Sequence, residues 1–311
     1  MNPVQATFRH QAFLYAGADE FLDGALPFLR EGIAARQPTL VVVDAAKIRA
    51  LRAALGADAD RVRFADMAHV GANPARIIPA WQEFVDEHAV EGRQFRGIGE
   101  PIWADRSAAE LAECQRHESL LNLAFSGAPA WWLLCPYDTK ALDAMVIDEA
   151  RRSHPWVLNG AGEEQSHHYR GLEASATSEV PLPPAGDDTV DMAFDPGALG
   201  TVRRFTMQHA TDAGLTDVQV ADLVLVVNEI ATNSLRHGGG SGVLRMWQEN
   251  GSVIAEVSDN GYVSQALVGR VKPTVQRENG RGMWLANQLC DLVQLRSSPE
   301  GTVVRMHMQR A

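Results

Sequence analysis

Apolar runs alternate with helical patterns along the first half of the chain. Five runs are rich in apolar and β-branched residues, namely QAFLYA (11–16), TLVVVD (39–44), VRFAD (62–66), FRGIGEP (95–101) and WWLLCPYD (131–138). Helical spacing of apolar positions follows each of them, over 19–36, 45–55, 74–89, 107–125 and 139–149. Strands that are apolar on both faces and separated by helices are typical of parallel sheets covered on both sides. The pattern predicts a doubly wound, mostly parallel α/β domain.

The second half has a different pattern, in which helices precede an antiparallel sheet. A strand over 189–194 is followed by helices over 196–212 and 216–237. The strands GVLRMWQEN and SVIAEVSDN then meet at Asn250-Gly251, a strong hairpin signal. A polar loop (260–281), a helix (282–290) and the hairpin of LVQLRSS and GTVVRMHMQ complete the chain. This order predicts an α+β layered domain.

A proline-rich segment separates the two patterns. EASATSEVPLPPAGDD (173–188) contains three prolines and no apolar period, so it has little to bury. We therefore expect an N-terminal domain over 1–172, a linker over 173–188 and a C-terminal domain over 189–311. A length of 311 residues suits two domains that each bury a core.

Composition narrows the class of protein. The net charge of −11 and the pI near 5.4 disfavour direct binding to nucleic acid, which needs a clustered basic face. No apolar run reaches the roughly 18 residues of a membrane span. The three cysteines are odd in number and far apart, which indicates buried thiols in a reducing compartment. We expect a soluble, cytoplasmic protein with no membrane contact.

Polar side chains recur on one face of the helix over 216–237. Glu229, Asn233 and His237 are four residues apart, so they stack one turn above another. The plain interpretation is a solvated helix face. A histidine at the C-terminus of a helix interacts favourably with the helix dipole, which explains His237 well. The functional interpretation is that a carboxylate, an amide and an imidazole converge on one polar ligand.

Two later segments favour the functional interpretation. VSDNG (257–261) places Asp259 at the end of a strand, where a carboxylate can accept a hydrogen bond from an exocyclic amine. NGRGMWLAN (279–287) is a glycine-containing loop that opens a helix, and free N–H groups at a helix N-terminus favour phosphate. Their order and spacing form a more specific pattern than either segment alone.

Residues 190–310 resemble a known ATP-binding domain. NEIATNSLRHG, SDNG, GRGMWLANQLCD and EGTVVRMHM are similar to the N box, the two glycine boxes and the final strands of the GHKL domain of histidine kinases, gyrase B, heat-shock protein 90 and MutL. The similarity is to its anti-sigma-factor serine kinase branch. The fold implied is the Bergerat-type α+β sandwich, and the cofactors implied are ATP and Mg²⁺.

The resemblance also implies a role for individual residues. Asn233 would coordinate Mg²⁺, Asp259 would bind the adenine amine with Gly261 leaving room for the ring, and Thr302 would touch adenine. Gly280 and Gly282 would shape the lid over the phosphates, and Glu229 would act as the general base toward the acceptor hydroxyl. The sequence departs from the family at Val263, where the first glycine box normally has a second glycine. The lid is also short, and its few phosphate-facing groups are Arg270, Lys272, Arg277 and Arg281.

The first half is similar to the MEDS sensory domain of methanogens and methylotrophs. The similarity covers roughly residues 8–170 and is carried by residues 10–43 and by RGIGEPIW, ECQRHESLLNLAF, LLCPYD and HPWVLNG. It implies a degenerate RecA-like sheet that senses a small molecule or a partner. Strand ends in this half are acidic and have no phosphate cradle, which disfavours a nucleotide. The pocket candidates are Glu100, Glu118, Asn122, Tyr137 and Asp138.

Together these expectations describe an anti-sigma-type regulator. It would sequester a sigma factor and transfer the ATP γ-phosphoryl group to a serine or threonine of an antagonist protein. The sequence leaves the oligomeric state open, although a homodimer would agree with the resemblance, since this branch commonly dimerises. A non-catalytic partner-binding module with a vestigial nucleotide site is the main alternative. A histidine-kinase relic would need a phosphoacceptor helix that the linker does not provide, and charge disfavours an ATPase acting on nucleic acid. Cys114 and His117 share a helix face but have no second ligand pair nearby in sequence, so zinc is not expected there.

Overall fold

The computed structural model describes residues 8–89, 94–171, 181–186, 188–273 and 280–310. Contacts between Cα atoms divide the chain into two compact units, 1–177 and 178–311. Within the described ranges, no helix combines the length and the apolar character that crossing a membrane requires.

The first unit is built on a seven-stranded sheet with the order β3-β2-β4-β5-β1-β6-β7. Its strands are β1 (Arg9–Tyr15), β2 (Thr39–Val43), β3 (Arg63–Asp66), β4 (Phe95–Gly99), β5 (Trp131–Asp138), β6 (Trp156–Asn159) and β7 (Gly162–Gln165). Its helices are α1 (Ala18–Ala34), α2 (Ala45–Leu55), α3 (Met67–Val70), α4 (Ile77–His88), α5 (Ala108–Ala124) and α6 (Ala144–Ser153). Neighbouring strands pair in parallel, except that β7 is antiparallel to β6. The predicted mostly parallel α/β class is confirmed.

Helices cover both faces of this sheet, and alternation along each strand decides which face a side chain enters. Phe13 and Tyr15 of β1 pack with α1 and α2 in one apolar core. On the other face Trp131 of β5 contacts Trp81 of α4 and Phe125 at the end of α5, with ring centroids 5.5 and 4.9 Å apart. Because both faces are covered, β2 and β4 are buried at every position, which explains the apolar sequence of β2. In β4 the buried Arg96 interrupts the apolar sequence and pairs with Glu31 at 2.9 Å.

The sequence pattern did not predict β6 and β7, and it placed α6 too early. Both strands have only four residues, and β7 is exposed throughout, so neither has the long apolar run on which the prediction relied. Residues 139–143 were expected to begin a helix, but Thr139 donates its N–H to the carbonyl of Tyr15 at 2.8 Å. This turn extends the strand pairing, and α6 therefore begins at Ala144.

The second unit is an antiparallel sheet with helices. Its strands are β8 (Val190–Phe194), β9 (Gly242–Glu249), β10 (Ser252–Asp259), β11 (Leu292–Ser298) and β12 (Gly301–Gln309), in the order β11-β12-β10-β9-β8. Its helices are α7 (Leu199–Asp212), α8 (Asp217–His237) and α9 (Arg281–Leu289). All neighbouring strands pair antiparallel. The predicted α+β class is confirmed.

The two faces of this second sheet differ in polarity. Alternate residues such as Leu244, Ala255 and Met306 form one apolar core with the three helices. On the opposite face, Glu256 lies between two cross-strand arginines, with Arg305 at 2.6 Å and Arg245 at 3.3 Å. Alternation of this kind is typical of an antiparallel sheet with only one face packed by helices.

The described part of the predicted linker contacts this polar face. The Arg305 guanidinium donates to the carbonyl of Pro183 at 2.8 Å, and a Cβ at Gly186 would lie 3.1 Å from the Trp247 ring. Residues 181–186 therefore belong with the second unit, a contact that no local pattern of the linker predicts.

Tight packing between α4 and β4 generates a stability prediction. A Cβ at Gly97 would lie 2.6 Å from the ring of the buried Trp81, so Gly97→Ala should destabilise the first unit by ~1–3 kcal/mol through overpacking. Urea unfolding followed by tryptophan fluorescence is suitable, since five of the seven tryptophans lie in this unit. Gly127→Ala is the matched control, because a Cβ there meets nothing within 4 Å. Equal midpoints for the two variants would contradict the packing argument.

Candidate functional site

Helix α8 is fixed at its start by a capping box and along its length by an apolar stripe. The N–H of Thr216 donates to the Gln219 side chain at 3.1 Å, and the Thr216 hydroxyl accepts from the N–H of Gln219 at 3.4 Å. The buried stripe consists of Val220, Leu223, Val226, Val227, Ile230 and Ala231. Glu229 and Asn233 lie beside this stripe and are half-buried, whereas Arg236 and His237 are exposed.

The carboxylate of Asp259 joins the end of β10 to helix α8. One oxygen accepts the Ser234 hydroxyl at 2.5 Å, and the other accepts the N–H of Gly261 at 2.7 Å. A Cβ at Gly238 would overlap the carboxyl group of Asp259, so the helix approaches the strand closely because this residue is glycine. Asp259 therefore lies beside the turn of α8 that follows Asn233.

The N-terminus of α9 meets the same helix one turn earlier. A Cβ at Gly282 would lie 3.0 Å from the amide nitrogen of Asn233 and 3.3 Å from the Cβ of Glu229. Gly280 precedes the helix in a left-handed conformation with φ of 94°, which glycine adopts without strain. The N box and the second glycine box are thus in direct contact. Arg277, which the sequence placed in the lid, is outside the described residues.

A chain of hydrogen bonds holds the loop after Asp259 against the last strands. Thr302 is the cross-strand partner of Asp259 and donates its hydroxyl to the carbonyl of Gly261 at 2.8 Å. Ser297 pairs with the Thr302 hydroxyl at 2.7 Å and accepts the N–H of Val263 at 2.8 Å. The Val263 side chain packs against the apolar core. The departure from the glycine box therefore anchors this loop.

Close contacts of Gly261 give a structural reason for glycine that the sequence did not reveal. A Cβ there would lie 2.8 Å from both the His237 carbonyl and the Gly238 Cα, so the turn packs directly on the end of α8. Arg270, expected among the phosphate-facing groups of the lid, is only 3% exposed. A cavity of about 740 Å³ opens at the strand ends, lined in part by Asp259, Asn260 and Thr302.

In the first unit, Glu100 belongs to a buried cluster at the strand ends. Its carboxylate accepts the Tyr15 hydroxyl at 2.7 Å and pairs with the Lys47 ammonium at 2.9 Å. Lys47 also pairs with Asp44 at 2.8 Å. Burial raises the pKa of Glu100 to about 7, although Lys47 and Tyr15 oppose that rise.

Glu118 and Asn122 belong to a second cluster, with side chains that the sequence did not single out. Glu118 lies 3.1 Å from His10 and 3.3 Å from His154, and Asn122 lies 3.2 Å from the other nitrogen of His10. Cys135 lies 3.4 Å from His10. We call His10, Glu118, Cys135 and His154 the histidine cluster. Burial and the neighbouring His154 lower the pKa of His10 to about 4.

The five pocket candidates of the first unit thus do not share one site. Tyr137 is near the histidine cluster, with its ring 5.6 Å from that of His154. Asp138 instead accepts N–H groups from Gly17 at 3.2 Å and Lys140 at 2.9 Å, which is a turn-stabilising role. His10, Cys135 and His154 lie far apart in sequence. No regular interval between residues could therefore have predicted that their side chains meet.

The Glu100 cluster generates a pH prediction. The pKa of Glu100 is raised from 4.5 to about 7, so the folded chain binds more protons than the unfolded chain between these values. The contribution of Glu100 to the free energy of unfolding is therefore largest below about pH 4.5. It falls by about 3 kcal/mol as the pH rises to about 7. Urea unfolding of Glu100→Gln should lack this decline relative to wild type. Glu164→Gln, on the exposed β7, should retain it; a wild-type decline that persists in Glu100→Gln would refute the assignment.

Comparisons with known proteins match two different family models to the two parts of the chain. Residues 9–155 match the family model "MEDS: MEthanogen/methylotroph, DcmR Sensory domain", and residues 192–308 match "Histidine kinase-like ATPase domain". No curated protein matches the chain.

One similar solved structure is that of the RsbU and RsbW domains of Rv1364c from Mycobacterium tuberculosis. It has 20% sequence identity to this chain, the match covers 40% of this chain and 33% of that one, and the TM-score is 0.31. The chain thus spans about a third of the length of that structure. On the evidence of the two family models, this protein carries a MEDS sensory domain followed by a histidine kinase-like ATPase domain.

Proposed function

We propose that the protein is an anti-sigma-factor-type regulator that binds ATP with Mg²⁺ and phosphorylates an antagonist protein. Its ATPase domain would sequester a sigma factor and transfer the γ-phosphoryl group to a serine or threonine of the antagonist, which releases the sigma factor. The MEDS domain would modulate which partner is held. The proposal combines the ATPase family match with the serine-kinase-type motifs of the sequence.

A single observation carries the nucleotide site. Asp259 is bonded to Ser234 of α8, while Gly282 at the start of α9 lies against Asn233 and Glu229 of the same helix. Three motifs that are remote in sequence therefore meet along two turns of α8. Adenine, Mg²⁺ and phosphate require a particular set of groups at one place. These are a carboxylate, an amide, a second carboxylate and a helix N-terminus.

The residues present fit an adenine nucleotide and its metal. Asp259 keeps acceptor capacity beyond its two hydrogen bonds, since a carboxylate offers about four lone-pair sites. Asn233 is half-buried at the α9 N-terminus, where its amide oxygen can serve as one hard ligand. Mg²⁺ commonly keeps several waters, so one protein oxygen with phosphate oxygens suffices; when bound it supplies charge neutralisation for phosphoryl transfer.

Glu229 would accept the proton of the hydroxyl that receives the phosphoryl group. It is one helical turn before Asn233 and faces Gly282, with its carboxylate 3.6 Å from the position of a Cβ there. This places a base beside the phosphate end of the site and away from Asp259. Positioning supplies most of the catalysis in phosphoryl transfer, and general-base assistance typically contributes 10²–10⁴-fold.

A non-catalytic partner-binding module is the second candidate, and Val263 is the observation that favours it. Its N–H is bonded to Ser297 and its side chain packs against the core, so the loop after Asp259 is held more firmly than a glycine would hold it. A loop fixed in this way would bind nucleotide weakly or without closing over it. The two candidates differ in whether phosphate reaches the antagonist.

The nucleotide site is tested by titrating the full chain with ATP in the presence of Mg²⁺. Asn233→Ala and Asp259→Ala should each weaken binding by at least about tenfold, which corresponds to about 1.4 kcal/mol. There are two matched controls. Asn228→Ala is on α8 like Asn233 and loses a side-chain bond to Arg203 of α7. Asp191→Ala lies at an exposed position of β8. If all four variants bind ATP as the wild type does, the proposed site is wrong.

Phosphoryl transfer is tested separately, with labelled ATP and anti-sigma antagonist proteins of the same organism as acceptors. Glu229→Gln should keep the ATP affinity within about twofold and reduce transfer by about 10²-fold or more. Transfer by wild type, located on a serine or threonine by mass spectrometry, supports the kinase. ATP binding with no transfer by either wild type or Val263→Gly would favour the non-catalytic module instead.

A further inference from the structure

The histidine cluster brings together four side chains that can each donate one ligand atom to a metal ion. His10 is on β1, Glu118 on α5, Cys135 on β5, and His154 directly follows α6. Their donor atoms all lie within 4.8 Å of one another, and all four residues are buried. Imidazole nitrogen, thiolate sulfur and carboxylate oxygen are the ligand types that Zn²⁺ takes in proteins.

The distances in the cluster match those between ligands of a tetrahedral ion. Bonds of about 2.0–2.3 Å to a tetrahedral centre place neighbouring ligand atoms about 3.3–3.8 Å apart. The Nε2 of His10 lies 3.1 Å from Glu118 and 3.4 Å from Cys135, and the Nε2 of His154 lies 3.3 Å from the same Glu118 oxygen. Three of the six pairs of donor atoms thus already have nearly the spacing of a tetrahedral site, and all six pairs lie within 4.8 Å.

Hydrogen bonds outside the cluster set the tautomers of both imidazoles. The Nδ1 of His154 faces the Ala150 carbonyl at 2.8 Å, and a carbonyl can only accept, so this nitrogen carries the proton. Asn122 donates its amide N–H to the Ser153 carbonyl at 2.8 Å, which turns its oxygen toward the Nδ1 of His10 at 3.2 Å. When both rings are neutral, as metal binding requires, both Nε2 atoms therefore direct lone pairs into the cluster.

The cluster consequently contains more acceptors than donors. Two imidazole lone pairs and a carboxylate face one another, and only the Cys135 thiol has a proton to offer. Among the described residues, the second oxygen of Glu118 and the hydroxyl of Tyr137 are buried without a hydrogen-bond partner. Burying a carboxylate among acceptors is costly unless a cation lies between them.

We propose that His10, Glu118, Cys135 and His154 bind a divalent transition-metal ion, with Zn²⁺ as the preferred ion. Both imidazoles and the thiolate disfavour Mg²⁺ and Ca²⁺, and the hard carboxylate disfavours Cu⁺. On binding, the Cys135 thiol releases its proton to solvent and the thiolate sulfur bonds to the ion. Four protein ligands leave no open position, so the ion would tie β1, β5, α5 and α6 together and would stabilise the MEDS domain.

The first test measures the metal in the full chain. Protein stripped with a chelator should bind one equivalent of Zn²⁺ with release of a proton, and its unfolding midpoint should rise on reloading. Co²⁺ in place of Zn²⁺ should give the visible absorption of a tetrahedral site together with a thiolate-to-cobalt charge-transfer band. A stripped wild-type chain that binds neither ion would overturn the proposal and leave a proton shared within the cluster.

Variants then assign the bound ion to this cluster. Cys135→Ser should abolish the charge-transfer band. Asn122→Ala removes the bond that orients His10 and the bond to the Ser153 carbonyl, but no ligand atom, and it should weaken binding about 10–100-fold. The matched control is Cys114→Ser, because Cys114 is equally buried but its thiol faces the Pro101 carbonyl at 3.3 Å. Circular dichroism of each variant checks that it folds. An ion whose binding and spectrum are unchanged in both Cys135→Ser and Asn122→Ala would lie elsewhere, and the proposal would be wrong.

Discussion

The close approach of helix α8 to strand β10 is the constraint on which the second unit depends. At Gly238 the helix comes so near the strand that only the carboxylate of Asp259 fits between them. That carboxylate is bonded to Ser234 on the helix and to the N–H of Gly261 in the turn. The same contact that closes the core also places Asp259 near Asn233, so packing and the proposed nucleotide site are built from one set of residues.

The first unit uses β1 in a comparable way, with alternate side chains serving two buried polar clusters. His10 enters the face covered by α5 and α6, where it meets Glu118 and His154. Tyr15 faces the opposite way and donates its hydroxyl to Glu100, and the Lys47 ammonium partly compensates the charge of the Glu100 carboxylate. Buried polar groups are costly unless partners satisfy them, and in both clusters side chains from different elements supply those partners. The two clusters account for three of the five pocket candidates, Glu100, Glu118 and Asn122.

Periodicity was sufficient to predict both fold classes and most elements, because long apolar strands and amphipathic helices are local patterns. It failed where structure depends on distant pairing. Strand β6 is short and is stabilised by pairing with β1, and the start of α6 is delayed by the bond from Thr139 to the Tyr15 carbonyl. The contact of Pro183 with Arg305 likewise has no local signal, since it requires the polar face of a sheet formed much later in the chain.

By itself the sequence determined the order of elements, the change of architecture near the proline-rich segment, and the motif residues along α8, at Asp259 and at Gly282. Spacing of four along one helix fixes a common face, so this part of the candidate site is encoded locally. Which remote groups meet depends instead on the folded chain. Gly282 lies against Asn233, Val263 is anchored by Ser297, and His10 lies with Glu118, Cys135 and His154. These contacts join residues on different elements, and their positions follow from strand order and helix packing, which no local pattern specifies.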